Sequence, residues 1–139
     1  MRKIFFILLA IFCLSCNSTK HAVTKSNKLN GTWIPVKEEM GGTLLPTAAF
    51  KSQQLILKDS NYIFTAESVD KGIAKYANGK MDIYGEEGVN IGKHFMAIYK
   101  YENEELTICY NLKGDGYPEA FETKPKRLLF LCTFVRSKK

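Results

Sequence analysis

The residues that could carry out chemistry are few and lie far apart along the chain. His94 is the one histidine inside the predicted folded part, which also contains Cys109 and Cys132. A thiolate beside an imidazole could act as a nucleophile, but nothing in the spacing brings such a pair together. A site with several imidazoles is excluded because the other histidine, His21, precedes the predicted domain. We therefore predict no metal site and no cysteine nucleophile.

Acidic residues beside two glycine-containing segments offer a second kind of chemistry. These residues are Asp82, Glu86, Glu87, Asp115 and Glu119. The first three could serve as acid and base, yet carboxylates that flank glycines are typical of a solvated turn. The last two suggest calcium, but the segment lacks the alternating oxygen ligands of a calcium loop. We predict no catalytic residues, no cofactor and no enzyme activity.

The clearest chemical signal is at the N-terminus. Arg2 and Lys3 precede an apolar run over residues 4–14, and Cys16 follows Ser15. The run is too short to span a bilayer, which needs about 20 apolar residues. The segment resembles bacterial lipoprotein signals, in which a small residue precedes an acylated cysteine. The resemblance implies cleavage before Cys16 and a lipid on Cys16; the alternative is ordinary secretion with no lipid.

The signal divides the chain into three parts. Residues 1–15 are the predicted signal peptide, residues 16–28 form a polar, flexible tether, and residues 29–139 form one domain. We expect a bacterial cell-envelope protein held on a membrane through Cys16. The full chain has a formal net charge of +6, with scattered basic residues and no stacking motif. Together with export, this predicts no nucleic-acid partner.

The predicted domain consists almost entirely of strands and turns. Between Leu29 and Arg136 we expect about eight or nine short strands, a spacing typical of a barrel or sandwich. Asn78 and Gly79 between two of them are a strong hairpin signal, since both tolerate positive φ. Residues 46–51 have the composition of one short helix, and segments 85–92 and 111–127 are predicted loops. The prediction is an all-β, antiparallel barrel.

Three residues at the two ends of the domain suggest how the barrel closes. Gly31 and Trp33 lie on the first predicted strand, and Arg136 lies on the last. They resemble the lipocalin pairing, in which a Gly, any residue, Trp triplet meets a C-terminal arginine stacked on the indole. A guanidinium over a tryptophan ring gains about 0.5 to 2 kcal/mol and would tie the first strand to the last.

The order of segments extends this resemblance over nearly all of residues 29–136. Ile98–Tyr99, Leu106–Tyr110, Tyr117–Phe121 and Thr123–Pro125 are similar to a family of small, uncharacterised lipocalin-like domains best known from planctomycetes. In that family an arginine usually precedes the proline, and here Tyr117 replaces it. The resemblance implies a lipocalin-like barrel in an exported protein, without an established activity.

The barrel architecture suggests binding. An eight-stranded barrel can hold a small apolar ligand or be filled by its own side chains. Candidate ligand-binding residues are the aromatic and apolar residues Tyr62, Phe64, Tyr76, Met96, Ile98 and Tyr99. We predict a small hydrophobic ligand. The alternative is a filled barrel, a structural or inhibitory module that binds another envelope protein through a barrel edge or the two predicted loops.

The two cysteines of the domain leave two possibilities open. Cys109 and Cys132 lie on predicted neighbouring strands, and an oxidising compartment would permit a disulfide. A bridge needs α carbons within about 7 Å, which spacing alone does not establish. Two buried, reduced thiols that pack as small hydrophobic groups are favoured.

Overall fold

The computed structural model describes residues 27–138, which form a closed antiparallel β-barrel. The predicted signal peptide, Cys16 and most of the tether lie outside these residues. The elements are β1 (Gly31–Met40), β2 (Thr43–Leu44), a 3-10 helix (Thr47–Ala49), β3 (Gln54–Lys58), β4 (Asn61–Thr65), β5 (Val69–Ala77), β6 (Lys80–Glu87), β7 (His94–Glu102), β8 (Glu105–Asn111) and β9 (Leu129–Arg136). Among the described residues, no helix is long and apolar enough to cross a membrane.

The sheet closes because β1 has neighbours on both sides. Strands β3 to β9 pair in sequence order, and β9 pairs back onto β1, which also pairs with β3. The short strand β2 pairs only with the end of β1 and lies outside the ring. Eight strands therefore form the barrel and β2 is an addition. The predicted all-β antiparallel barrel is confirmed.

Alternation along each strand separates the interior from the outer face. On β6, Met81 and Ile83 are buried while Asp82 and Tyr84 are more exposed. On β8 and β9 the burial pattern is interrupted, because Cys109 and Leu131 are buried as well as the inward-facing Ile108 and Cys132. The predicted hairpin between β5 and β6 is present, with φ of 52° at Asn78 and 76° at Gly79. Positive φ at both positions gives the turn the twist of the flanking strands.

The first predicted loop differs from the structure, whereas the second, predicted over residues 111–127, is present with each bound one residue later. The segment predicted as loop from residue 85 begins as strand, because β6 continues to Glu87 after a register shift opposite Lys71 and Gly72. The second loop, residues 112–128, lies across the outer face of β8, where Cys109 Sγ donates to the Glu122 carbonyl at 3.8 Å. This loop explains how an outward-facing residue on a barrel strand is buried.

One end of the barrel is closed by Trp33 and Arg136. Trp33 is fully buried, and its indole Nε1 donates to the Leu29 carbonyl at 2.9 Å. The Arg136 guanidinium carbon lies 4.4 Å from the centre of the Trp33 ring. The guanidinium also donates to the carbonyls of Lys28 and Asn30, so it ties the chain before β1 to the end of β9.

Steric crowding explains why the first residue of the triplet is a glycine. Gly31 has φ of 148°, and a Cβ there would overlap Arg136 Nη1. An L-residue with a side chain would therefore displace the guanidinium from the indole as well as strain the backbone.

We expect Arg136→Ala to lower the free energy of unfolding by about 1 to 3 kcal/mol, because the cation–π contact and two charge-assisted hydrogen bonds are lost. Gly31→Ala should destabilise the wild type more than it destabilises the Arg136→Ala variant, since the overlap involves the guanidinium. Urea unfolding of both single variants and the double variant measures this. Lys138→Ala is the control, and strictly additive effects would contradict the steric explanation.

Candidate ligand-binding cavity

The barrel interior contains an apolar cavity of about 140 Å³. It lies toward the end of the barrel that carries the β4–β5, β6–β7 and β8–β9 connections, opposite the end closed by Trp33. Its lining is mainly aliphatic and aromatic: Leu55, Leu57, Tyr62, Phe64, Asp70, Ala74, Met81, Ile83, Asn90, Phe95, Ile108, Tyr110, Leu112, Phe130 and Phe134. Asn90 and Leu112 are partly exposed and come from two of these connections, so they mark the mouth.

The volume decides what could fit. An apolar cavity of about 150 Å³ in another protein stays dry and binds benzene or xenon. The barrel cavity is of similar size, so it can enclose one aromatic ring or a short alkyl chain. A long-chain lipid would have to leave most of its length outside the barrel.

The structure brings together only part of the predicted binding set. Tyr62 and Phe64, on β4, line the cavity. Tyr76 and Tyr99 also point inward, but they pack edge to face at 5.8 Å toward the closed end and do not line the cavity. The Tyr76 hydroxyl donates to the Asp59 carbonyl at 2.9 Å, so it has a structural role.

Met96 and Ile98 lie on the outer face of the barrel and do not line the cavity, so their prediction as ligand-binding residues is corrected. On β7 the inward positions are Phe95, Ala97 and Tyr99, in register with Met81 and Ile83 of β6. The strand is apolar at both parities, so its sequence does not indicate which set of residues faces inward.

Sequence reasoning missed several residues of the lining. Tyr110 and Phe130 face each other across β8 and β9 and stack with ring centres 5.8 Å apart. Phe95 and Asp70 complete the wall from β7 and β5. A signal was available for Tyr110, which shares its parity on β8 with the apolar residues Leu106 and Ile108. Phe95 and Phe130 lie on strands that are apolar at both parities, so alternation did not indicate their direction. Asp70 carried no such signal, because a carboxylate is rarely expected inside a barrel.

Asp70 is the charged residue of the lining and is only 4% exposed. Its Oδ1 accepts a hydrogen bond from the backbone N–H of Asn90 at 3.0 Å. A Cβ at Gly88 would overlap this carboxylate, so the glycine allows the β6–β7 connection to approach it. Burial raises the pKa of the nearby Tyr62, and the negative charges of Asp70 and Glu86 raise it further.

A second buried acid, Glu38 on β1, is 2% exposed. Cys132 Sγ donates to Glu38 Oε1 at 3.8 Å. Burial raises the pKa of Glu38, and this weak hydrogen bond offsets only part of the rise. Burial also raises the pKa of Tyr110 well above its usual value, and the nearby acidic groups Cys132 and Glu38 add to the effect.

The two cysteines are free thiols on opposite faces of the sheet. Cys132 is opposite Ile108 and points inward, whereas Cys109 is opposite Leu131 and points outward beneath the 112–128 loop. Neighbouring strands cannot join two side chains that point to opposite faces. The favoured prediction of reduced cysteines is confirmed. Burial raises the pKa of Cys109 to about 11, so this thiol is protonated at neutral pH.

A polar cluster on the outer face anchors the 112–128 loop. Asp82 Oδ1 lies 2.8 Å from His94 Nε2, and Asp82 Oδ2 accepts a hydrogen bond from the Tyr117 hydroxyl at 2.7 Å. Tyr84 stacks on His94, with ring centres 4.4 Å apart and an interplanar angle of 7°. Desolvation raises the pKa of Asp82, but the hydrogen bonds from Tyr117 and His94 outweigh it and the net pKa is lowered.

The structure does not assemble a metal site from the other acidic candidates. Asp115 pairs with Lys113 at 2.7 Å and accepts a hydrogen bond from Asn111. Glu87 pairs with Lys71 at 2.8 Å on the surface. Within residues 27–138, no group of three or more His, Cys, Asp or Glu side chains is arranged to hold a metal ion. These acids act in local ion pairs and turns.

Comparisons with known proteins identify no relative. No family model, no curated protein and no solved structure matches the chain.

We expect Glu38→Gln to become more stabilising as pH rises. A raised folded-state pKa means that the native protein favours protonated Glu38. The stabilisation that protonated Glu38 contributes to the folded state is complete below the unfolded-state pKa, and it is lost as pH rises through the folded-state pKa. Glutamine stays neutral and avoids that loss. The measurement is urea unfolding of both proteins from pH 4 to 8, with the exposed Glu67→Gln as control. A pH-independent difference would contradict a raised pKa.

We expect Tyr117→Phe to raise the pKa of Asp82, because the hydroxyl that stabilises its ionised form is removed. The measurement is a carboxyl-carbon NMR titration. Tyr84→Phe is the matched control, since it deletes a tyrosine hydroxyl from the same cluster and leaves the two hydrogen bonds to Asp82 in place. An unchanged Asp82 titration in Tyr117→Phe would show that the hydroxyl contributes little.

Proposed function

We propose that this protein is an exported, lipid-anchored binding protein whose barrel holds a small hydrophobic molecule in the bacterial cell envelope. The observation that supports the proposal is the apolar cavity of about 140 Å³ inside the barrel, whose lining includes Asn90 and Leu112 from two interstrand connections. The proposed anchor is a lipid on Cys16, and the proposed relatives are the uncharacterised lipocalin-like domains. We propose binding as the function, without enzyme activity.

An empty cavity has a cost that a ligand would remove. Unfilled apolar volume destabilises a protein by about 24 cal/mol per Å³, which for a void of this size is of order 3 kcal/mol. Larger side chains at small positions such as Ala74, which is buried in the lining, would fill the space. A ligand that occupies the cavity would remove this destabilisation, and this supports the binding function.

One observation favours the alternative function, binding to another protein. Val89 and Ile91, in the β6–β7 connection, are 65% and 66% exposed, which is high for large apolar side chains. Neighbouring exposed apolar residues can mark an interaction site. They belong to one of the loops predicted to contact an envelope protein. The same connection also bounds the cavity mouth, so its exposed side chains could equally contact a ligand that extends from the barrel.

We expect the full chain to bind benzyl alcohol with a Kd of about 0.1 to 1 mM, the range typical of a very small ligand. Ala74→Ile should weaken this binding at least tenfold, because the added carbons occupy the cavity. Isothermal titration calorimetry measures both values. The unfolding free energy of Ala74→Ile should equal or exceed that of the wild type, since the new side chain fills a void.

The matched control is Ala77→Ile, which adds the same atoms to an exposed position of β5. It should leave the Kd unchanged. Native mass spectrometry of the full chain incubated with an extract of envelope lipids then searches for the physiological ligand. A wild type that binds no small apolar molecule, and a strongly destabilised Ala74→Ile, would indicate a filled barrel and favour the protein-binding alternative.

A further inference from the structure

The charge inside the barrel has a single sign. Asp70 lies on β5 with the same parity as Gly72 and Ala74, so its side chain points into the interior, where it lines the cavity. The lining contains no lysine, arginine or histidine. Among the ion pairs of residues 27–138, none includes Asp70. A buried carboxylate thus faces an apolar void without a cationic side chain.

Glu38, Glu86 and two phenol groups near the cavity add no positive charge. Glu38 is buried on β1, and Glu86 acts electrostatically on Tyr62 from the end of β6. The phenol groups of Tyr62 and Tyr110, which line the cavity, both have raised pKa values, so they stay neutral at physiological pH. Asp70 is therefore the acidic side chain that a ligand in the cavity would meet.

We propose that the cavity selects a small apolar molecule that carries one positively charged amino group, with the Asp70 carboxylate as its counter-charge. This inference rests on the proposed binding function and specifies the class of ligand. The volume of about 140 Å³ limits the enclosed part to a ring or a short chain. The amino group lies at Asp70, and the apolar part packs against the aromatic wall.

The physical basis is the cost of burying charge. A carboxylate removed from water is unfavourable unless a cation or several hydrogen-bond donors compensate it. Asp70 receives one backbone N–H, from Asn90, and an ammonium group can supply up to three more donors and a full positive charge. A ligand carboxylate at the same place would meet like charge at close range. The site therefore disfavours fatty acids and other organic anions.

Asp70 also has a structural role, which the test must separate from binding. Its hydrogen bond to Asn90 and its contact with Gly88 hold the β6–β7 connection. Asp70→Asn removes the charge but keeps a carbonyl oxygen that can accept the Asn90 N–H. The connection should remain in place in this variant, while the preference for a cation is lost.

The experiment compares benzylamine, benzyl alcohol and benzoate, which share one ring and differ in charge at pH 7. Calorimetry on the full chain should give benzylamine a Kd at least tenfold lower than that of benzyl alcohol, with benzoate the weakest. Asp70→Asn should reduce the ratio of the two Kd values, for amine and alcohol, to about one. Asp59→Asn, an exposed acid at the opposite end, should retain the wild-type ratio.

The outcomes separate the two proposals. If benzyl alcohol binds and Ala74→Ile blocks it, but benzylamine binds no more tightly, the inference on charge is overturned and the binding function stands. If none of the three binds, the binding function fails and the inference fails with it. A tenfold preference that persists in Asp70→Asn would also overturn the role of this carboxylate. The ranking of the three ligands by the wild type needs no variant, so misfolding of Asp70→Asn cannot conceal the result.

Discussion

The pairing of β1 with β9, which closes the ring of hydrogen-bonded strands, is the constraint on which the rest of the structure depends. Without it the sheet would have two open edges and no enclosed interior. Trp33 is opposite Arg136 in this pairing, and the stacked guanidinium joins the two chain ends of the domain. The interior aromatic residues, the cavity and the buried acids exist as a site only because this seam is closed.

An irregularity in the same seam determines which charge enters the barrel. The register of β1 on β9 shifts between Pro35 and Lys37, and Val36 and Lys37 are both exposed. With uninterrupted alternation from Trp33 and Pro35, the next inward residue would be Lys37. The shift turns Lys37 outward and Glu38 inward. A single extra residue in one strand thus gives the interior an acid where strict alternation would place a base.

The 112–128 connection is held by polar contacts at separate points on the outer face. Tyr117 binds Asp82 of β6, and the Thr123 hydroxyl donates to Glu39 of β1 at 2.6 Å. Between these two points the Glu122 carbonyl accepts a hydrogen bond from the Cys109 thiol, and this outward position of β8 is buried.

The sequence by itself determined the strands, the Asn78–Gly79 turn and the pairing of Trp33 with Arg136, because these depend on local alternation, on positive φ and on a recognisable pair of residue types. It did not determine which face of β7 points inward, since Met96 and Ile98 are as apolar as the residues beside them.

Only the tertiary structure placed Asp70 in the cavity. The carboxylate reaches the interior because β5 is one wall of a closed barrel and the β6–β7 connection folds over its end, where Asn90 donates to it. The residues that form this site come from strands far apart in the chain, and no local pattern encodes their distance from one another. Strand formation is a property of neighbouring residues, whereas a cavity is a property of the closed ring.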